Sequence, residues 1–143
     1  MFLRNRRYLG YCHRLFTCGL VVFVVVIGLN AQQHPAAPHT HPESQALVNP
    51  IPSTVESTRA GRQRYVFMCR ECHGNSGRGD GDMSHAGGVP SDFTDEEWQH
   101  GGSDGEIFTV IKEGVTADMQ GYNNRLTDDD IWSLVNYLRS LGN

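Results

Sequence analysis

The run Cys69-Arg70-Glu71-Cys72-His73 constrains this chain more than any other feature. Two cysteines separated by two residues stand about one helical turn apart, so both thiols leave the same side of a helix. Each thiol can then add to one vinyl group of a haem, while the adjoining His73 imidazole reaches the iron from the side that the helix covers. Other uses of the pair fit less well. A zinc site calls for a second Cys or His pair, and the remaining cysteines, Cys12 and Cys18, both lie near the N-terminus. A thioredoxin-like dithiol calls for a strand before the motif and a βαβ context, and neither pattern is present. A Cys69–Cys72 disulfide would leave His73 without a purpose.

Charge is unevenly distributed around this motif. The 143 residues hold 12 Lys+Arg against 16 Asp+Glu, a formal net charge of −4, which argues against a nucleic-acid partner. Four cysteines in this length are too few for a disulfide scaffold. Arg4, Arg6, Arg7 and Arg14 precede the apolar run Leu15 to Leu29, and no acid occurs before Glu43. Residues 1–31 therefore read as a secretory signal peptide or, if uncleaved, as an N-terminal membrane anchor through residues 15–31. Beyond them eight basic residues face sixteen acidic ones, a net of −8. Residues 32–57 carry five prolines together with His34, His39 and His41, and read as an extended Pro/His-rich linker. The histidines have the chemistry to bind a transition metal, although such tracts are more often solvated spacers.

The remaining residues, 58–143, show helical periodicity and no strand pattern. Ile131, Leu134, Val135, Leu138 and Leu141 fall on one helical face, with Thr127 as cap and Asp128, Asp129 and Asp130 at the positive end of the helix dipole. Ser103 and Glu106 form a capping-box signal before Ile107, Phe108, Val110 and Ile111, with a stop at Gly114. Thr94 with Glu97 signals a shorter helical turn ending near His100. A first helix is expected from Thr58 to Met68. Gly61 inside it costs about 1 kcal/mol relative to Ala, which makes sense where a second helix crosses close to its backbone.

At these residues the sequence resembles the small bacterial class I c-type cytochromes, over about Thr58 to Leu141. Gly61 and Tyr65 precede the motif where the family has a Gly and an aromatic, and Leu134 and Tyr137 stand where it has their partners. Gly74, Gly77, Gly79-Asp80-Gly81, Pro90 and Met119 follow in the family's order. The resemblance implies an all-α fold of three to five short helices around one covalent haem c, with thioethers at Cys69 and Cys72 and His73 as the proximal iron ligand.

For the distal ligand, Met68 sits beside Cys69 on the proximal side, and Met83 follows His73 by too few residues for an easy path around the macrocycle. Met119 matches the family's ligand position, with His85, His100 or an open site as alternatives. Gln120 stands where the family commonly has Pro, which leaves the stiffness of that loop in question. The family's proline carbonyl on the His73 Nδ1–H corresponds here to Pro90. Arg78, Trp98 and Tyr122 carry donors for haem propionates or the ligand loop, each also at home as a surface or packing residue.

The function implied is that of an electron carrier, not an enzyme. It is expected in the periplasm or on the outer face of the bacterial cytoplasmic membrane, moving single electrons between redox protein partners. The acidic surface would suit partners with basic docking patches. Two alternatives stand beside it: a haem subunit or domain of a membrane-bound oxidase or dehydrogenase complex, and a gas-binding or catalytic haem protein with an open distal site. So small a domain buries a modest core by itself, and covalent haem would fill the deficit. A Cys69→Ser, Cys72→Ser double variant is accordingly expected to show no cooperative transition in a thermal scan; a sharp one would contradict the haem-dependent core.

Overall fold

The computed structural model describes residues 39–84 and 88–142. Among them the secondary structure is helical: α1 (Pro42–Gln45), α2 (Val55–Met68), α3 (Arg70–His73), α4 (Asp104–Glu113) and α5 (Asp128–Arg139). No strand forms among the described residues, where the β pairing is the isolated bridge Gly114–Gln120. None of these helices is long and apolar enough to cross a membrane, and the leader 1–31 lies outside the described residues.

The α4 and α5 starts follow their capping signals. The Ser103 and Thr127 hydroxyls accept from the Glu106 and Asp130 N–H groups, each at 3.2 Å. The α2 helix begins at Val55, three residues before the expected Thr58, because Thr54 and Ser57 cap one another reciprocally. A serine replaces the usual Glu or Gln of the box there, so the signal is weaker in sequence. No helical turn forms over 94–97. Thr94 instead gives both its N–H and its hydroxyl to Asp92 Oδ1, at 2.7 and 2.6 Å, which bends the chain back on itself.

The main packing contact is α2 against α5. A Cβ at Gly61 would collide with the Ser133 carbonyl and lie 2.9 Å from Tyr137 Cβ, so only glycine permits this approach. One turn on, the fully buried Tyr65 ring meets Tyr137 at 5.1 Å. Ile131, Leu134, Val135 and Leu138 are buried as their spacing implies, and Phe108 of α4 stacks on Trp132 of α5 at 4.1 Å. Apolar burial on this face is the chief stabilising term.

Residues 39–57 depart from the expectation of a solvated linker. Thr109 Oγ1 donates to Ser44 Oγ at 2.8 Å, and Asn49 Nδ2 donates to Asn136 Oδ1 at 2.9 Å and to the Trp132 carbonyl at 3.3 Å. Glu106, 2% exposed, accepts from the His41 N–H and the Gln45 amide with one oxygen, and from the Ser103 N–H and hydroxyl with the other. The arm is fastened by polar groups rather than by an apolar stripe, which is why hydropathy does not reveal it. His39 and His41 pack edge to face at 5.0 Å, and His39 meets His100 at 4.9 Å. No group of three or more His, Cys, Asp or Glu among the described residues is arranged to hold a metal ion, and His34 lies outside them.

Burial by itself would raise the Glu106 pKa, but the donors from Ser103, His41 and Gln45 outweigh it and hold the carboxyl at about 2. The stability contributed by this depressed group is complete above its ordinary value of 4.5 and is lost as pH falls towards 2. Glu106→Ala is expected to cost about 1–3 kcal/mol at neutral pH, since it leaves buried N–H groups without acceptors. Urea unfolding of the intact protein at descending pH should show the gap to wild type narrowing; a gap independent of pH would contradict the assignment.

Candidate functional site

The motif occupies a single helical turn at the end of α2. Cys69 closes α2 with its N–H on the Tyr65 carbonyl at 2.9 Å and opens α3, whose last residue is His73. Gly74 then ends the turn at φ +80°, a conformation that favours glycine, and Tyr65 Oη donates to its carbonyl at 2.7 Å. The following loop folds under the turn, with Gly79 N–H on the His73 carbonyl at 3.0 Å and Gly81 N–H on the Cys72 carbonyl at 3.1 Å. These contacts explain the concentration of glycine after the motif: the chain must turn sharply while its backbone lies against α3.

A cavity of about 340 Å³ adjoins this turn. Cys69, Cys72, His73 and Met119 all line it, together with apolar side chains such as Ile107 and Val115. Cys69 and Cys72 are free thiols. Burial, reinforced by the neighbouring Cys72 and opposed by Arg125, pushes the Cys69 thiol up to about 12. Such a thiol is the reverse of the low-pKa cysteine of a dithiol oxidoreductase.

The His73 side chain is 8% exposed, and burial lowers its pKa against the opposing pull of the Ser91 carbonyl. Its Nδ1 lies 3.2 Å from the Ser91 oxygen, which can only accept, so the proton sits on Nδ1 and the Nε2 lone pair is left for a metal. The expected acceptor, the Pro90 carbonyl, faces Gly79 instead.

Met119 lies in the connection between α4 and α5. Its N–H donates to Thr116 Oγ1 at 3.0 Å and its carbonyl accepts from the Val115 N–H at 2.9 Å, beside the Gly114–Gln120 bridge. Backbone pairing thus stiffens the loop where the absent proline left the point open.

Pro90, Trp98 and Tyr122 also line the cavity. Tyr122 Oη donates to the Met68 carbonyl at 2.9 Å, with the Arg125 guanidinium 4.1 Å from its ring centroid. Arg78 is exposed and is not among the residues that line the cavity. Met83 and His100 line it as well, Met83 at 52% exposure, whereas His85 lies outside the described residues. Two contributors had no signal in the sequence. Ser91 acts through its backbone carbonyl, and Phe93 stacks on His73 at 4.5 Å without belonging to any periodic face.

Two thiols one turn apart, a neutral imidazole and a thioether around one largely apolar cavity are a donor set that fits haem c. Fold and donor set together define a class I c-type cytochrome domain. The family model described as cytochrome C oxidase, cbb3-type, subunit III matches residues 56–138, and the chain belongs to that family.

Among curated proteins, the chain is similar to the cbb3-type cytochrome c oxidase subunit FixP of Bradyrhizobium diazoefficiens, 30% identical over 82 residues. It is also similar to subunit CcoP of Cereibacter sphaeroides, 34% identical over 82 residues. Each alignment covers 57% of this chain and 27% of the relative, so the chain spans about a quarter of the length of these proteins. Among solved structures, the reducing HAO-like protein complex of Kuenenia stuttgartiensis contains a chain matched with a TM-score of 0.61 and 29% identity, over 69% of this chain and 49% of that one. Cytochrome cL of Methylophaga aminisulfidivorans shares the fold, with a TM-score of 0.53 at 24% identity, over 62% of this chain and 57% of that one.

Proposed function

We propose that the protein is a one-electron carrier in which Cys69 and Cys72 hold haem c, and His73 and Met119 ligate its iron. The observation that supports this reading is the lining of one cavity by all four residues. Bound haem c supplies a one-electron iron couple. The chain's own part is to anchor, orient and enclose. The α3 turn presents both thiols and the imidazole together, the Ser91 carbonyl holds the His73 proton on Nδ1, and the loop 115–119 brings a thioether to the cavity. With His73 and Met119 both holding the iron, the thioether would favour the reduced state and the site would leave no position open for a substrate.

A second reading is favoured by the family match and by the names of the curated relatives: the domain serves as a haem-bearing subunit of a membrane oxidase complex. Export to the periplasmic side is supported by the four leader arginines and the apolar run behind them. The net charge of −8 beyond residue 31 supports a redox partner with a basic docking patch, with association that weakens as salt rises.

Carbon monoxide separates a carrier from an open-site haem protein. The reduced wild-type protein is expected to resist carbon monoxide at neutral pH, and Met119→Ala to bind it rapidly while losing the long-wavelength charge-transfer band of methionine ligation. Rapid, complete binding by the wild type would overturn the ligand assignment.

A further inference from the structure

A single bend of the chain makes two different contacts with the His73 ring. The Ser91 carbonyl accepts from Nδ1 at 3.2 Å. Two residues on, the Phe93 ring lies against the face of the imidazole, with centroids 4.5 Å apart and planes 25° from parallel. Between them Asp92 Oδ1 pins Thr94 through both its N–H and its hydroxyl, which fixes the bend.

Phe93 is itself fastened through both its backbone and its ring. Its N–H donates to the Gly77 carbonyl at 2.7 Å, the Leu141 and Phe93 side chains close over Gly77, and the Trp98 ring packs behind it at 5.5 Å. The Arg139 guanidinium lies 5.3 Å from the Trp98 centroid.

The two contacts restrain different motions. A hydrogen bond fixes the position of Nδ1 but lets the ring tilt about the N–H···O axis. A flat aromatic contact opposes that tilt, because rotating the imidazole out of plane drives its edge into the neighbouring ring. We propose that Phe93 is a positioning residue: it sets the plane of the His73 imidazole, and thereby the orientation of the iron's axial ligand. The inference rests on the reading of His73 as that ligand. Groups behind a ligand commonly decide its orientation and tune the metal.

The test uses electron paramagnetic resonance of the oxidised, haem-loaded protein, because its low-spin g values report the orientation of the axial ligand planes. Phe93→Leu is expected to replace one sharp low-spin signal by a broadened signal or by more than one, with shifted g values and a shifted reduction potential. Phe93→Tyr, which keeps the flat contact, is expected to restore the wild-type signal. A Phe93→Leu spectrum that superimposes on wild type overturns the proposal, as does a Phe93→Tyr spectrum altered as much as that of Phe93→Leu. Should Phe93→Leu fail to accumulate, Phe93→Met decides, since it keeps an apolar side chain of similar size but removes the flat contact: broadening supports the proposal and an unchanged signal overturns it. Failure of the underlying ligand reading looks different, as a wild-type protein without covalent haem or without a low-spin signal.

Discussion

Where α2 crosses α5 there is no room for a side chain on α2, and the rest of the domain is placed from that contact. Gly61 rests against the Ser133 carbonyl, which sets how closely the two helices approach. Tyr65, one turn further along α2, is wedged against Tyr137 and reaches past the end of its helix to the Gly74 carbonyl. The turn from Cys69 to His73 is therefore held at both ends, by its covalent continuation from α2 and by the Tyr65 hydroxyl. A larger residue at position 61 would act at a distance: it would push the helices apart and displace the motif turn without touching it.

A second fastening is polar. Glu106 closes the α4 capping box and at the same time receives the arm through His41 and Gln45, so one buried carboxylate ties the start of the described chain to a helix that lines the cavity. Gly101 sits directly beside that carboxylate, and a side chain there would strike it. Burying a charge is tolerable only when its lone pairs are met by donors, and four of them converge here. His39 continues the strap by donating its N–H to the Gln99 carbonyl at 2.8 Å, at a residue that also lines the cavity. The arm thus braces the cavity wall from outside.

What the sequence made legible, and what it hid, divides along physical lines. The α5 face from Ile131 to Leu138 could be read because burial imposes a helical period, and the Ser103 and Thr127 caps because hydroxyls at helix starts have a stereotyped partner. The thiols and His73 were visible because side chains that share one helical turn stand at a fixed spacing in the sequence. Contacts made by backbone atoms leave no such trace: the Ser91 carbonyl displaced Pro90 as the partner of His73, and the Met119 loop gains its stiffness from main-chain pairing rather than from proline. The arm escaped notice for a related reason. Asn49 and Ser44 look like solvated linker residues until Asn136 and Thr109 are brought opposite them.

The two loops that flank the cavity share a design. One carries Ser91 and Phe93 to His73, and the other carries Met119, yet neither belongs to a helix. Both are made rigid by short-range hydrogen bonds from a single side chain, Asp92 in the first and Thr116 in the second, which accepts from the Asp118 and Met119 N–H groups. Loops of this kind cost little apolar surface and still hold a side chain to a narrow range of positions. For one-electron transfer this is the relevant property. A metal whose ligands barely move between oxidation states needs little rearrangement of its surroundings, whereas a site meant to bind and release a substrate needs a ligand that can leave. Under the proposed ligation, a Met119 loop anchored at both its N–H and its carbonyl fits the first kind of site.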